Sequence, residues 1–294
     1  MDISVIIVNF NTKEITARCV ESFLRNKENG INIEIIIVDN FSTDGSKEYF
    51  QNKYSNIINV KMIFNGSNYG FGVANNMGVR LAVGKYIAFA NSDTYIENFS
   101  FKNLMNCFNE CDNIGALSCK ILYADDSIQT TGFNYPSICN DIKLNVFFWN
   151  YRFIKKYRYK KYIDRGLFRK DWVSGCFFMC KKDLFLKVTG FDPKIFMYAE
   201  DLDICIRFSN TGAQNYVYDK EKIYHLHGQS IKTMNLSLKR MLSSKRSYYY
   251  VLKKNNITDF KIFIYLINII HTIALFIFIY SKQKIAKNFY YENK

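Results

Sequence analysis

Gly84-Lys85-Tyr86-Ile87-Ala88-Phe89-Ala90-Asn91-Ser92-Asp93 decides the fold of this chain. Tyr86 to Ala90 is a short apolar run, the pattern of a strand buried on both faces of a sheet. It stops abruptly at three small polar residues, the last a carboxylate. Ligands of open α/β sheets bind just beyond the carboxyl ends of the strands, so Asp93 stands where a cation carrying a phosphate can be held. Asn-Ser-Asp is equally ordinary turn and N-cap chemistry, and the flanking sequence has to choose.

Upstream, the same unit recurs. Ile3 to Phe10 reads as a buried strand, and Thr12 can N-cap a helix to about Lys27 with Ile15, Cys19, Phe23 and Leu24 on its face. Ile33 to Val38 is a second buried strand ending at Asp39-Asn40; Ser42 or Asp44 starts the next helix, and Ile57 to Phe64 gives a third strand. The run Asn68-Tyr69-Gly70-Phe71-Gly72-Val73-Ala74-Asn75-Asn76-Met77-Gly78 leads into a further helix before Tyr86. Four β-α units in a row predict a doubly wound, mostly parallel sheet with right-handed crossovers. The fingerprint Gly-x-Gly-x-x-Gly is missing after the first strand, which argues against a nicotinamide dehydrogenase. Asp39 can cap a helix, or accept a hydrogen bond from a pyrimidine N–H or a ribose hydroxyl. The glycines of 68–78 suit close approach to a phosphate or sugar, and equally a tight loop.

Downstream, Lys143 to Lys170 interleaves Lys and Arg with Phe147, Phe148, Trp149, Tyr151 and other aromatics. That mixture suits single-stranded nucleic acid, carbohydrate, a membrane interface or simply a solvated segment. Trp172 to Met179 reads as a strand opening on a small-residue turn, and Gly190-Phe191-Asp192-Pro193 as a loop. Phe196-Met197-Tyr198-Ala199-Glu200-Asp201-Leu202-Asp203 crowds three acids at a helix start. The helix dipole favours carboxylates there, by less than about 1 kcal/mol each. Glu200 and Asp201, however, follow an apolar run and share a half-buried position, which suits a functional pair. Ile223 to Gly228 adds His225 and His227.

The 294 residues can bury a substantial core, and 49% apolar content excludes a disordered chain. The eight cysteines form no Cys-x-x-Cys pair, so they read as reduced, mostly buried thiols in a cytosolic setting. Met1-Asp2 opens directly into the first strand with no basic leader. The net charge is +14, yet the first 130 residues carry more acids than bases. The basic surplus therefore belongs to the second half and predicts a polyanionic or anionic membrane partner. Phe260 to Tyr280 is apolar except for Lys261, Asn268, His271 and Thr272, with lysines on both sides. Lys261, Asn268 and Thr272 share one helical stripe, which suits a helix lying in a membrane interface; a buried core helix is the alternative.

Taken together, these motifs resemble the family 2 inverting glycosyltransferases of the GT-A fold, and within them the rhamnosyltransferase-like branch of bacterial surface polysaccharide synthesis. The resemblance covers about residues 3–255. It rests on Val-Ile-Ile-Val-Asn-Phe-Asn (5–11), Val-Asp-Asn (38–40), Asn-x-Gly-Phe-Gly-x-x-x-Asn (68–76) and Asn-Ser-Asp (91–93). Asp-Trp-Val-Ser-Gly (171–175), Gly-Phe-Asp (190–192), Phe-Met-Tyr-Ala-Glu-Asp-Leu-Asp (196–203) and His-x-x-Gly-x-Ser (225–230) extend it. Their order and spacing are specific where each alone is weak.

The resemblance implies a GT-A domain at 1–232, Rossmann-like with flanking helices, its nucleotide-sugar half at about 1–95 and its acceptor half at about 96–232. A C-terminal helical, membrane-associating segment follows at 233–294. Val8, Phe10 and Asp39 would contact the base of a UDP- or dTDP-sugar such as dTDP-rhamnose; Asn68, Gly72, Asn75 and Ser92 would line its ribose and phosphates. Asp93 and His225 would hold Mg²⁺ or Mn²⁺, with His227 the alternative. Asn91 stands where the family often has Asp, which removes one charged ligand. Asp201 matches the catalytic base, and Trp172 and Glu200 would meet a lipid-linked saccharide acceptor at the inner face of the cell membrane. No nucleic acid partner is expected. The competing readings are a sugar-nucleotide nucleotidyltransferase, whose basic Gly-rich loop after the first strand is absent at Asn9-Phe10-Asn11-Thr12, and a noncatalytic carbohydrate- or nucleic-acid-binding protein.

Overall fold

The computed structural model describes residues 1–26, 28–135, 165–226 and 238–256, with the backbone alone over 238–242. Most of 143–170, His227 and Phe260 to Tyr280 lie outside the described residues. Two compact units are distinguished, 1–134 with 161–251, and 135–160 with 252–294; the first carries everything below.

The first half follows the sequence closely. Strand β1 (Ile3–Asn9) leads to helix α1 (Lys13–Arg25), β2 (Ile33–Asp39) to α2 (Ser46–Tyr54), β3 (Val60–Phe64) to α3 (Phe71–Leu81), and β4 (Tyr86–Asn91) ends the run. All neighbouring pairs here are parallel, in the order β3-β2-β1-β4. Alternation along β1 sends Ile3, Val5 and Ile7 to one core and Ile6 and Val8 to the other, so both faces are packed. On the second face Phe89 is ringed by Phe178, Phe185 and Phe191 at 5.0, 5.0 and 5.1 Å between ring centres. Removing a ring so enclosed typically costs about 3–5 kcal/mol.

Helix starts differ in detail from expectation. Thr12 precedes α1, but its hydroxyl donates to the Asn9 side chain at 3.0 Å instead of capping. Before α2, Asp44 accepts the Ser46 N–H at 3.1 Å, while Ser42 turns back to accept the Asn11 N–H.

Beyond Asp93 the sheet stops being parallel. Short β5 (Thr94–Ile96) precedes α4 (Phe101–Glu110), β6 (Ile114–Leu122), β7 (Ile128–Gln129) and β8 (Gly132–Phe133). Then come β9 (Leu167–Lys170), β10 (Trp172–Val173), β11 (Phe177–Lys181), α5 (Lys182–Lys187), α6 (Glu200–Ser209), β12 (Gln214–His225) and α7 (Leu238–Lys254). The main sheet runs β3-β2-β1-β4-β11-β6-β12-β5, with β11 antiparallel to both neighbours and β12 parallel to β6. The sheet is therefore mixed, and the expectation of a mostly parallel sheet holds for its first half alone. Trp172 to Met179 is likewise two strands. β10 pairs with β8 in a separate ribbon and β11 enters the main sheet, because the turn at Ser174 to Cys176 redirects the chain.

This topology decides where the chemistry can lie. The carboxyl ends of β1, β2, β4, β6 and β12 and the amino end of β11 all meet one edge of the sheet. Asn9, Asp39, Asp93, Gly175 and His225 share that edge.

Among the described residues all seven cysteines are free thiols. No described helix is long and apolar enough to cross a membrane.

Candidate active site

Asp93 sits in the turn between β4 and β5, and β12 returns antiparallel to β5 so that His225 pairs with Thr94. The Leu226 N–H donates to the Asp93 carbonyl at 2.9 Å and closes the junction. His225 Nε2 lies 3.2 Å from Asp93 Oδ1, with the two residues 9% and 4% exposed. A carboxylate oxygen and an imidazole nitrogen converging at a strand-end edge form a donor set that fits a divalent cation. No cluster of three or more such ligating residues occurs among the described residues.

Asp201 opens α6 on the other side of the same edge. Its Oδ2 accepts the Gly175 N–H at 2.8 Å and its Oδ1 the Leu202 N–H at 2.9 Å. A Cβ on Gly175 would stand 3.1 Å from Asp201 Cβ, so only glycine lets that amide come so near without a neighbour giving way. Burial raises the Asp201 carboxyl above its ordinary range, and the two amide bonds pull it partly back. The Cys176 thiol, next along the chain from Gly175, is buried. Its pKa is pushed up to about 12, chiefly by burial and further by the charges of Asp93 and Asp201.

Glu200 is 8% exposed, and its Oε2 has no hydrogen-bond partner among the described residues. Burial, then the neighbouring Asp201 charge, push it up to about 8. The expectation that backbone amides keep this pair ionised is thus reversed for Glu200, because burial outweighs the helix end. Between about 4.5 and 8 the folded protein keeps a proton that the unfolded chain releases. Stability therefore falls as pH rises through that window and levels off above it. Glu200→Gln removes the ionisation and should flatten the profile, gaining on the order of a few kcal/mol at pH 8.5 relative to pH 5.5. Urea unfolding of both proteins at the two pH values checks this; parallel profiles would contradict it.

The loop ahead of α6 is strained and held from behind. Tyr198 and Ala199 are both left-handed, φ 67° and 64°, at a cost of roughly 1–3 kcal/mol each. From α7, Ser247 donates to the Met197 carbonyl and Tyr250 to Asp192 Oδ2, both at 2.9 Å. Asp203 is fully buried and bonded to Arg207 Nε at 2.8 Å, and Arg207 Nη1 reaches the Val188 carbonyl at 2.6 Å. Asp203 thus anchors the helix.

The residues expected to hold a nucleotide divide into two sets. Phe10 is exposed at the edge, and Ser92 lies beside Thr12 and next to Asp93. Asp39 is buried, its Oδ1 accepting from Asn9 Nδ2 at 2.6 Å and its Oδ2 from the Ser42 N–H at 3.1 Å. Asn68 Oδ1 accepts from Asn40 Nδ2 and from the Gly70 N–H, shaping the loop. The Val8 side chain packs into the core. Asn75 is buried with its amide on the Phe71 carbonyl. A Cβ on Gly72 would lie 2.9 Å from Phe191 Cβ. The glycines of this run admit protein, not open space. Gly70 (φ +85°) takes the Phe196 carbonyl against its backbone, the Phe71 N–H bonds that carbonyl at 2.9 Å, and Asn76 bonds both backbone groups of Phe191.

Trp172 is partly exposed, stacked on Phe133 at 4.2 Å between ring centres, its Nε1 donating to the Asn134 carbonyl. It lies three residues before the amide that holds Asp201. Sequence reasoning missed three polar side chains that shape this edge: Asn9, Asn40 and Gln129. Asn9 ends β1 and Asn40 follows β2, and both could have been suspected from that placement; Gln129 carries no motif.

A Rossmann-like half with acids and a histidine at the strand ends defines a GT-A-like sheet. The chain overlays the crystal structure of S. aureus TarS with a TM-score of 0.58 at 17% identity, covering 87% of this chain and 39% of that one. A mannosyltransferase from Pyrobaculum calidifontis, in complex with GDP-Man and Mn²⁺, gives 0.58 at 14% identity, covering 90% of this chain and 68% of the other. The Glycosyl transferase family 2 model matches residues 4–203, and the chain belongs to that family. Among curated proteins it is 26% identical over 208 residues to the N-acetylglucosaminyl-diphospho-decaprenol L-rhamnosyltransferase of Mycobacterium tuberculosis, a match spanning 66% of each chain. It is also 34% identical over 110 residues to the glycosyltransferase GlyG of Streptococcus pneumoniae, covering 37% of this chain and 36% of that one.

Proposed function

We propose that this chain is an inverting glycosyltransferase that moves a sugar from a UDP- or dTDP-linked donor, with dTDP-rhamnose the first candidate, to a hydroxyl of a lipid-linked glycan in bacterial surface polysaccharide synthesis. The observation that carries it is the convergence of Asp93 with His225 at one sheet edge, which Asp201 joins through its hydrogen bond from the Gly175 N–H. The rhamnosyltransferase relative, whose name specifies a polyprenol-linked substrate, supports the donor and acceptor classes.

Asp93 and His225 would hold Mg²⁺ or Mn²⁺, the imidazole favouring Mn²⁺. When bound, such a cation offsets the charge that grows on a departing nucleotide diphosphate. Phe10, Asp39, Asn68 and Ser92 bound the donor edge, and Val8, Gly72 and Asn75 support it from within. Asp201 takes the proton of the attacking hydroxyl. Each of its oxygens spends one lone pair on a backbone amide and keeps another for the acceptor, and burial makes it a stronger base than a solvated carboxylate. Glu200, neutral below about pH 8, offers a hydrogen bond to an acceptor oxygen without placing a second negative charge beside the base. One displacement with no covalent intermediate inverts the anomeric centre. Trp172 supplies an apolar ring face for the acceptor.

A donor-hydrolysis screen over UDP-, dTDP- and GDP-sugars with Mg²⁺ and Mn²⁺ tests this reading; no metal-dependent hydrolysis of any of them would overturn it. Residues 1–232 would form the catalytic domain, and 233–294 would bind the inner face of the cell membrane peripherally. The lysine-flanked apolar run 260–280 supports this, together with helix α7, which carries six Lys and Arg and no acid. Flotation with anionic liposomes should recover the full chain but not a chain lacking 257–294; equal recovery would count against the membrane role.

A further inference from the structure

Gln129 touches no reacting group in the reading above, yet it grips His225 at two points. Its Nε2 donates to the His225 carbonyl at 2.8 Å, and its Oε1 lies 2.9 Å from His225 Nδ1. The backbone carbonyl only accepts, so the amide NH₂ must face it. That leaves the Gln129 carbonyl oxygen, also only an acceptor, facing the ring, and Nδ1 must therefore carry the hydrogen. The other ring nitrogen, Nε2, is the one that lies 3.2 Å from Asp93 Oδ1. A carboxylate oxygen and the second ring nitrogen are thus turned toward one another, close enough for a proton or a cation to lie between them.

We infer that Gln129 is a positioning residue that locks His225 in its Nδ1–H tautomer and aims Nε2 as a metal ligand. The inference rests on the metal reading of Asp93 and His225. Gln129 is 7% exposed, and β7, which presents it, pairs with β6 one strand away from β12. A buried amide with both ends committed cannot swing to accommodate the other tautomer without stranding a polar group. Metal-bound histidines commonly rely on such a partner for the second ring nitrogen, and losing it typically weakens metal binding about 10–100-fold.

The test uses the full chain and needs no turnover. Long-range ¹H–¹⁵N spectra of metal-free protein distinguish the tautomers, and the chain has three histidines, so His225→Ala assigns the signal. The expected wild-type spectrum has a protonated Nδ1 at His225, whether or not Nε2 also carries a proton toward Asp93; a bare Nδ1 overturns the inference before any variant is made. Mn²⁺ affinity in the presence of UDP is then measured calorimetrically for wild type, Gln129→Met and His225→Ala. Gln129→Met, similar in size but unable to accept strongly, is expected to weaken Mn²⁺ by about 10–100-fold. Gln129→Glu restores an acceptor and should restore the Nδ1–H signal. Loss in His225→Ala without loss in Gln129→Met overturns the role of Gln129 alone. Unchanged affinity in both removes the metal reading and this inference with it.

Discussion

Asp201→Asn is expected to lower sugar transfer about 10²–10⁴-fold, the usual cost of losing a positioned base, while donor affinity stays near that of wild type. The geometry adds a consequence that sequence alone would not give. Both Asp201 oxygens accept backbone N–H groups, from Gly175 and Leu202. An asparagine can satisfy one of these amides, and its NH₂ then faces the other, donor against donor. The variant should therefore also lose roughly 1–3 kcal/mol of stability, and assays belong well below its melting temperature. Glu200→Gln is the necessary companion. Glu200 holds its proton below about pH 8, so an amide in its place keeps both shape and neutrality and should reduce transfer far less. Near-wild-type transfer by Asp201→Asn beside a dead Glu200→Gln would show that the other carboxylate is the base.

What the sequence could reveal follows from how local each feature is. Tyr86 to Ala90 needs no partner to be read as a buried strand, and its polar stop at Asn91 to Asp93 marks the edge where the site lies. The three upstream strands were legible for the same reason. Trp172 to Met179 was not, because two strands of two and five residues are defined by their partners, β8 and β4, and not by their own pattern. The glycines at 70 and 72 show the same limit. Their freedom to admit a close neighbour was evident, but the neighbours are Phe196 and Phe191. Glu200 and Asp201 were visible as a crowded acidic pair, whereas the direction of their pKa values depends on burial by distant chain. Gln129 stands 96 residues from His225. No spacing rule joins them until β6, β7 and β12 lie side by side.

Asp93→Ala and His225→Ala are each expected to bring metal-dependent donor binding below detection, the second largest effect the site predicts. Among the described residues, one carboxylate oxygen and one imidazole nitrogen converge at this edge. With two protein ligands converging there, loss of either removes half of the described donor set. Calorimetric titration of UDP with and without Mn²⁺, alongside melting curves showing that both variants fold, separates a lost ligand from a lost structure. Full turnover by both variants in EDTA would refute a metal-dependent mechanism for this chain.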